Sequence, residues 1–175
     1  FAADVLKFNA DDYLYITSFT HHPYYSSFIL EVPDNFSNGA YYNVPVEDMI
    51  ELTKETVNNG YSILWDADVS NDGFQQKMGS AVNFNNFAPE LKRKGDLFTG
   101  QSKEGKWDVT IRQKLFENLT TQDDHLMHIT GLAKSKAGNN FFMVKLFHLS
   151  AYLICLKETA TKARVITVVN ISKSI

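Results

Sequence analysis

The sequence predicts an α+β fold organised as a single domain over residues 1–175. An amphipathic helix is followed directly by a strand with a period of two, and three further strand-like segments close the chain. The composition, 44% hydrophobic and 13% aromatic, is sufficient for a sizeable core. No internal repeat, low-complexity segment or linker-like stretch divides the sequence, so we expect one domain.

The first part of the chain predicts two short strands joined by a polar and aromatic loop. Residues 13–17 and 28–32 are rich in aromatic and β-branched side chains, which favour strands. Residues 21–25 between them contain two histidines, a proline and two tyrosines. The Pro, Asp, Asn and Gly residues at 33–39 indicate exposed turns after the second strand.

The clearest element is a helix predicted over residues 45–58. Its apolar face recurs at i, i+3, i+4, i+7 and i+11, and Pro45 suits the first helical position. Acidic residues follow in the first turn, where they complement the helix dipole, and Gly60 stands just past the end. The residues on the apolar face are Val46, Met49, Ile50, Thr53 and Val57.

The remaining elements follow in order. Residues 61–69 alternate with a period of two and predict a strand, whereas residues 71–106 show no sustained period and predict long loops of the kind that line a cleft. A short helix is expected over 108–119, with Ile111, Leu115 and Leu119 on one side. The closing strands are predicted at 125–133, 141–156 (with a break near Ser150) and 164–171, and a hairpin turn at 136–140 joins the first two.

The charge and composition exclude several classes of function. Seventeen basic residues against twenty acidic residues give a formal net charge of -3, so we expect no nucleic-acid partner. No apolar run reaches the roughly 18 to 20 residues that span a bilayer, so we expect no membrane partner. The start at Phe1, without an initiator Met, leads us to expect that the true N-terminus is missing. A single cysteine excludes an intrachain disulfide and leaves the compartment open.

Three groups of residues are tested as candidate sites. His21 and His22 are zinc-type ligands, but adjacent histidines on extended backbone diverge and no third ligand has a diagnostic spacing, so we expect no metal site and no cofactor. Asp66 and Asp68 share one strand face but are predicted to be solvated rather than an acid/base pair. Cys155 lies in an apolar run without an adjacent base and is predicted to be a core residue, not a nucleophile.

Residues 121–131 carry a family resemblance. The run from Thr121 to Gly131 contains His125-Leu126-Met127 followed by strand-forming residues and a glycine. It resembles the segment with which peptidases of the bleomycin hydrolase (aminopeptidase C) family present their catalytic histidine. Three further pieces occur in the family's order, namely residues 42–45, 60–69 and 141–145. The resemblance covers nearly the whole chain.

The resemblance implies a papain-like fold, mainly the β-rich, histidine-bearing half, with an antiparallel sheet or barrel and the helix at about 45–58. It implies that His125 is the catalytic histidine, that Asp123 and Asp124 shape its approach, and that residues 170–175 form a tail that blocks the cleft. Without the resemblance, His125 is typical of a structural histidine held by one of those aspartates. His128 falls on the opposite strand face, which argues against a His125/His128 metal pair.

Two parts of the family's machinery are missing from the sequence. The nucleophilic cysteine of papain-type enzymes lies about 130 to 150 residues before the histidine, which here would precede Phe1. The oxyanion glutamine would be missing with it, and Leu146 stands where the family has the asparagine that orients the imidazole. We therefore predict a chain that is inactive alone. Its expected partners are a peptide substrate when a Cys-bearing segment is supplied, the missing N-terminal half, or further copies of itself.

The alternative is a non-catalytic binding or assembly module derived from a peptidase. A half-domain separated from its partner would expose a large apolar face, and such faces are usually interfaces.

Overall fold

The structure of the chain is a computed structural model that describes residues 1, 4–5, 13–70, 74–76, 79–81, 108–122, 125–146, 153–157 and 165–173. The described residues form one ten-stranded sheet with two helices, which confirms the predicted α+β class. The strands are β1 (Tyr15–Thr17), β2 (Ser26–Ile29), β3 (Ala40–Asn43), β4 (Tyr61–Ala67), β5 (Phe74–Gln75), β6 (Ser80–Ala81), β7 (His125–Lys134), β8 (Asn140–Leu146), β9 (Leu153–Lys157) and β10 (Val165–Lys173). The helices are α1 (Val46–Asn58) and α2 (Val109–Glu117).

The sheet is mixed rather than purely antiparallel. Its strand order is β2-β3-β1-β10-β4-β7-β8-β9-β6-β5. The pairs β1/β3 and β6/β9 are parallel and the other neighbours are antiparallel. The predicted 136–140 connection is confirmed as the turn between β7 and β8, where Gly138 adopts a φ of 87°.

Helix α1 matches its prediction closely. Pro45 is the N-cap, one residue before its predicted place, and Gly60 follows the helix with a φ of 83°. The helix packs on β1, β4 and β7. Trp65 and Met127, from the paired strands β4 and β7, are buried in the same core. The members contributed by α1 are Val46, Met49, Ile50 and Val57, the last of them partly buried. The amphipathic pattern therefore identified the correct face.

Helix α2 was predicted with the wrong buried face. Ile111 and Leu119, expected on its inner side, are exposed, whereas Arg112 and Gln113 are buried. Arg112 and Gln113 are buried because both side chains form hydrogen bonds with backbone groups of the segment after β1. Phe116 supplies the apolar contact, with its ring centroid 4.2 Å from that of Phe19.

The end of the chain also differs from its prediction. Residues 170–173, assigned by resemblance to a cleft-blocking tail, form the end of β10, where residues 171–173 pair with β4, whereas β1 pairs with residues 167–169. Backbone that is paired in the sheet cannot serve as a free tail, and residues 174–175 lie outside the described residues. The predicted strand over 141–156 is two strands, β8 and β9, and residue 150 falls in the part between them that the structure does not describe. Most of 71–106 also lies outside the described residues.

No helix in the described part of the chain is long and apolar enough to cross a membrane.

Candidate functional site

His125 is the first residue of β7, near the middle of the sheet. It pairs with Ala67 at the end of β4, and the next residues on its face, Met127 and Ile129, are completely buried. Side chains alternate along a strand, so His125 belongs to the core face of the sheet. It is nevertheless only half-buried because it lies at the end of that face. At this position an imidazole can contact buried side chains on one side and a bound ligand on the other.

A buried carboxylate holds the chain segment that leads to His125. Asp68 is 3% exposed, which corrects the expectation that it is solvated. Its Oδ1 accepts hydrogen bonds from the backbone N–H and the hydroxyl of Ser70 at 2.9 and 2.8 Å. Its Oδ2 accepts a longer one, 3.4 Å, from the backbone N–H of Gln122. Asp68 therefore ties the end of β4 to the residues just before His125. Asp123 and Asp124 lie outside the described residues.

Leu146 occupies the register position next to this site. It pairs with Met127, two residues along the strand from His125. A leucine offers no polar atom to an imidazole, so it cannot replace an orienting asparagine. Cys155 is more distant in the sheet, because β8 separates its strand β9 from β7.

His128 belongs to the opposite face of β7 from Met127, as the alternation predicted. It pairs with Leu64 on one side and Lys145 on the other. Burial lowers the pKa of His128 below its ordinary value, and repulsion by the Lys145 ammonium lowers it further. The imidazole is therefore held in its neutral form over a wider pH range than in the unfolded chain.

We expect His128 to make the fold sensitive to acid. In the unfolded chain the pKa of His128 is about 6.5. Just below that pH, His128 is protonated in the unfolded chain but stays neutral in the folded chain, which favours unfolding. The free energy of unfolding is therefore unaffected by the titration of His128 above about pH 6.5, and it decreases as the pH falls from there through the pKa of His128 in the folded chain. Urea unfolding at about pH 7.5 and about pH 5.5 should show a smaller loss of stability in His128→Gln than in the wild type.

Lys145→Gln should reduce the same pH dependence in part, whereas Lys134→Gln, at the far end of β7, should leave it unchanged. An equal loss of unfolding free energy between the two pH values in the wild type and in His128→Gln would contradict the role of His128 in acid sensitivity.

A second cluster of potential ligands lies at the other side of the sheet. His21 and His22 follow β1, and Glu31 follows β2. The nearer carboxylate oxygen, Oε2 of Glu31, is 3.6 Å from Nε2 of His21 and 3.8 Å from Nε2 of His22. The two imidazole centroids are 4.5 Å apart. The argument that adjacent histidines diverge is wrong here, because residues 20–22 form a turn and a bend rather than extended backbone.

Asn43 at the end of β3 shapes the segment that carries these histidines. Its side chain is completely buried. The Asn43 Oδ1 accepts a hydrogen bond from the backbone N–H of Phe19, and its Nδ2 donates to the carbonyls of Phe19, His22 and Pro23. The Asn43 carbonyl accepts from the backbone N–H of Tyr25. The sequence analysis missed this role, since an Asn at the end of a strand is common and its partners are some 20 residues away.

Gln113 and Arg112 fix the same segment from α2. The Oε1 of Gln113 accepts a hydrogen bond from the backbone N–H of Thr20 at 2.8 Å, and its Nε2 donates to Nδ1 of His21 at 2.9 Å. The buried Arg112 donates from Nη1 to the carbonyl of Ser18. Burial lowers the pKa of Arg112 to about 10, partly offset by Tyr24, so the guanidinium stays charged at neutral pH.

Comparison with known proteins gives a structural relationship only. No known protein family matches the sequence, and no curated protein matches it. Among solved structures, the chain is similar to the crystal structure of PepW from Lactobacillus rhamnosis HN001, with a TM-score of 0.71 and 14% sequence identity. The similarity covers 97% of this chain and 37% of the PepW chain. The chain therefore shares its fold with part of PepW and spans little more than a third of the length of the PepW chain.

Proposed function

We propose that this chain is the histidine-bearing part of a papain-like cysteine peptidase of the bleomycin hydrolase class, with His125 as the general acid and base. The observation that carries the proposal is the fold shared with PepW over 97% of the chain. In such a peptidase the imidazole takes the proton of a thiol nucleophile and returns it to the leaving amine. The half-buried position of His125 at a strand end supports this role.

The proposal requires a thiol from another polypeptide segment. The only cysteine, Cys155, lies on β9, which is not a neighbour of β7. The chain spans 37% of PepW, so a segment outside residues 1–175 is the natural source of the nucleophile. Peptide hydrolysis from the amino end then requires both segments, and the chain alone is expected to be inactive. Asp68 supports His125 indirectly by holding the residues before it.

The test uses the chain purified with whatever polypeptide accompanies it in its own cells. Intact mass identifies that polypeptide, a thiol-alkylating probe locates the reactive cysteine, and unblocked peptides report turnover. We expect labelling on the accompanying polypeptide and not on Cys155. His125→Ala should lower kcat by on the order of 10²- to 10⁴-fold, the usual contribution of general acid–base catalysis.

The matched control is His128→Ala, which removes a histidine from the opposite face of the same strand. It should retain turnover, because His128 is paired between Leu64 and Lys145 rather than at the strand end. Turnover that survives His125→Ala, or a purified assembly that neither reacts with the probe nor cleaves peptides, would overturn the peptidase proposal.

A second candidate is a non-catalytic binding or assembly module, and Leu146 is the observation that favours it. The residue at this register position carries no group that can orient His125. Under this reading the chain has kept the fold and lost the chemistry. Size-exclusion chromatography with light scattering separates the candidates: a defined oligomer of this chain alone, without turnover, favours the module.

A further inference from the structure

We propose that His21, His22 and Glu31 bind one divalent transition-metal ion of the zinc class. The three ligand atoms lie within 4.8 Å of one another, the only such group of three or more His, Cys, Asp or Glu residues among those that the structure describes. Two imidazole nitrogens and one carboxylate oxygen are a ligand set typical of zinc and of other late first-row metals. The inference is independent of the peptidase proposal.

The distances are close to those that a bound ion requires. Metal–ligand bonds of about 2.0–2.1 Å in a tetrahedron place neighbouring ligand atoms roughly 3.3 Å apart. The separations from Glu31 Oε2 are 3.6 Å to His21 Nε2 and 3.8 Å to His22 Nε2. A contraction of a few tenths of an ångström would bring Glu31 to the metal-binding distance, and the two imidazole nitrogens, at most 4.8 Å apart, would approach each other by a rotation of their rings. The Glu31 side chain is 70% exposed, so it is free to make this movement and leaves a fourth position open to water.

The two imidazoles are held in place without the metal. His22 stacks on Phe28 with ring centroids 4.0 Å apart, and its backbone carbonyl accepts a hydrogen bond from Asn43. His21 meets Phe28 edge-on at 5.7 Å and accepts the hydrogen bond from Gln113 at Nδ1. Because the rings are already converged, binding needs little ordering of these side chains.

The hydrogen bond from Gln113 selects one tautomer of the neutral His21 imidazole. The N–H of Thr20 fixes Oε1 of Gln113, and the Gln113 Nε2 faces both Nδ1 of His21 and Oε1 of Glu117, 3.0 Å away. A neutral His21 that accepts at Nδ1 carries its proton on Nε2, which faces Glu31. An ion at Nε2 must displace this proton to Nδ1 and turn the Gln113 amide. Gln113 therefore weakens metal binding at His21.

Exchanging the glutamine at position 113 with the glutamate at position 117 should increase the affinity of the site for the metal. In the double variant Gln113→Glu with Glu117→Gln, the new carboxylate accepts from the N–H of Thr20, from Nδ1–H of His21 and from the new amide. A carboxylate behind a ligating histidine favours the metal-binding tautomer and raises ligand basicity. Outer partners of this kind change metal affinity by about 10- to 100-fold, so the exchange should tighten binding by about tenfold or more.

The experiment titrates the full chain with Co²⁺ and follows the visible d–d absorption, with Zn²⁺ added as a competitor. We expect one Co²⁺ per chain, displaced by Zn²⁺. Glu31→Gln and His22→Gln should each weaken binding by tenfold or more, while far-UV circular dichroism confirms that both variants fold. Glu51→Gln, which changes a carboxylate on α1, and His128→Gln, which changes a histidine on β7, should bind like the wild type.

Two results would overturn the proposal. One is a wild-type chain whose d–d absorption at saturating Co²⁺ is no stronger than that of the same concentration of free Co²⁺. The other is absorption that persists in both Glu31→Gln and His22→Gln, since the ion would then be held elsewhere. Tighter binding in the Gln113/Glu117 exchange supports the proposal, and unchanged or weaker binding would reject the assigned role of Gln113.

Discussion

Replacing Asn43 by aspartate should lower the free energy of unfolding by about 4 kcal/mol at neutral pH. The substitution keeps the shape of the side chain and removes its hydrogen-bond donor. In the wild type, the Asn43 Nδ2 donates hydrogen bonds to the carbonyls of Phe19, His22 and Pro23 at 2.9, 2.9 and 3.1 Å. A carboxylate would place a buried negative charge against these three oxygens. Urea unfolding of the variant and the wild type measures the difference.

The pH dependence distinguishes this cause from a general loss of packing. Burial and the carbonyls should raise the folded-state pKa of the new aspartate above the unfolded value of about 3.9. The folded variant then binds more protons than the unfolded chain, so its penalty shrinks as the pH falls through the folded pKa. Asn59→Asp, at an exposed position after α1, is the matched control and should change stability by less than about 1 kcal/mol. An Asn43→Asp penalty as small as the control's would refute the role of Asn43.

Replacing Arg112 by alanine should lower the free energy of unfolding by about 3 kcal/mol. The guanidinium is buried, donates to the carbonyl of Ser18 and lies 4.7 Å above the ring of Phe19. Its loss removes a charge-assisted hydrogen bond and a cation–π contact and leaves space in the interior. Denaturant unfolding provides the measurement.

Lys114→Ala is the matched control because it removes an exposed cation two residues along the same helix. Its effect should stay within about 0.5 kcal/mol. Arg112→Met separates packing from polarity, since methionine fills much of the space without donating a hydrogen bond. Full stability in Arg112→Met would show that volume alone explains the effect, contrary to the assignment of the Ser18 carbonyl as its partner.

The elements that the sequence predicted correctly are those with a strong local pattern. Helix α1 follows from the spacing of Val46, Met49, Ile50 and Thr53, and β4 follows from alternation. The buried face of α2 could not be found in this way, because Arg112 and Gln113 are buried by partners more than 90 residues away. A periodicity argument counts apolar residues and therefore selects the exposed Ile111 instead.

The candidate sites were predictable to different degrees. His125 was selected by a family resemblance, and its catalytic role stays a prediction. The convergence of His21 and His22 depends on a local turn and on Asn43, and neither leaves a signal in the spacing of the histidines. One hydrogen-bond donor to the buried Asp68, the backbone N–H of Gln122, comes from a segment 54 residues away in the sequence. Long-range contacts of this kind are the part of a site that one sequence does not reveal.

The position of β10 has a consequence for biosynthesis. This strand lies between β1 and β4, although β1 and β4 leave the ribosome long before it. Until β10 is made, the edges of β1 and β4 that will face it carry unpaired backbone N–H and C=O groups, and such edges can pair with other chains. Closing the sheet also joins residues from opposite ends of the sequence, which slows folding. Completion of the sheet therefore has to wait for β10, and until β10 is made the nascent chain depends on protection of these two edges from neighbouring chains.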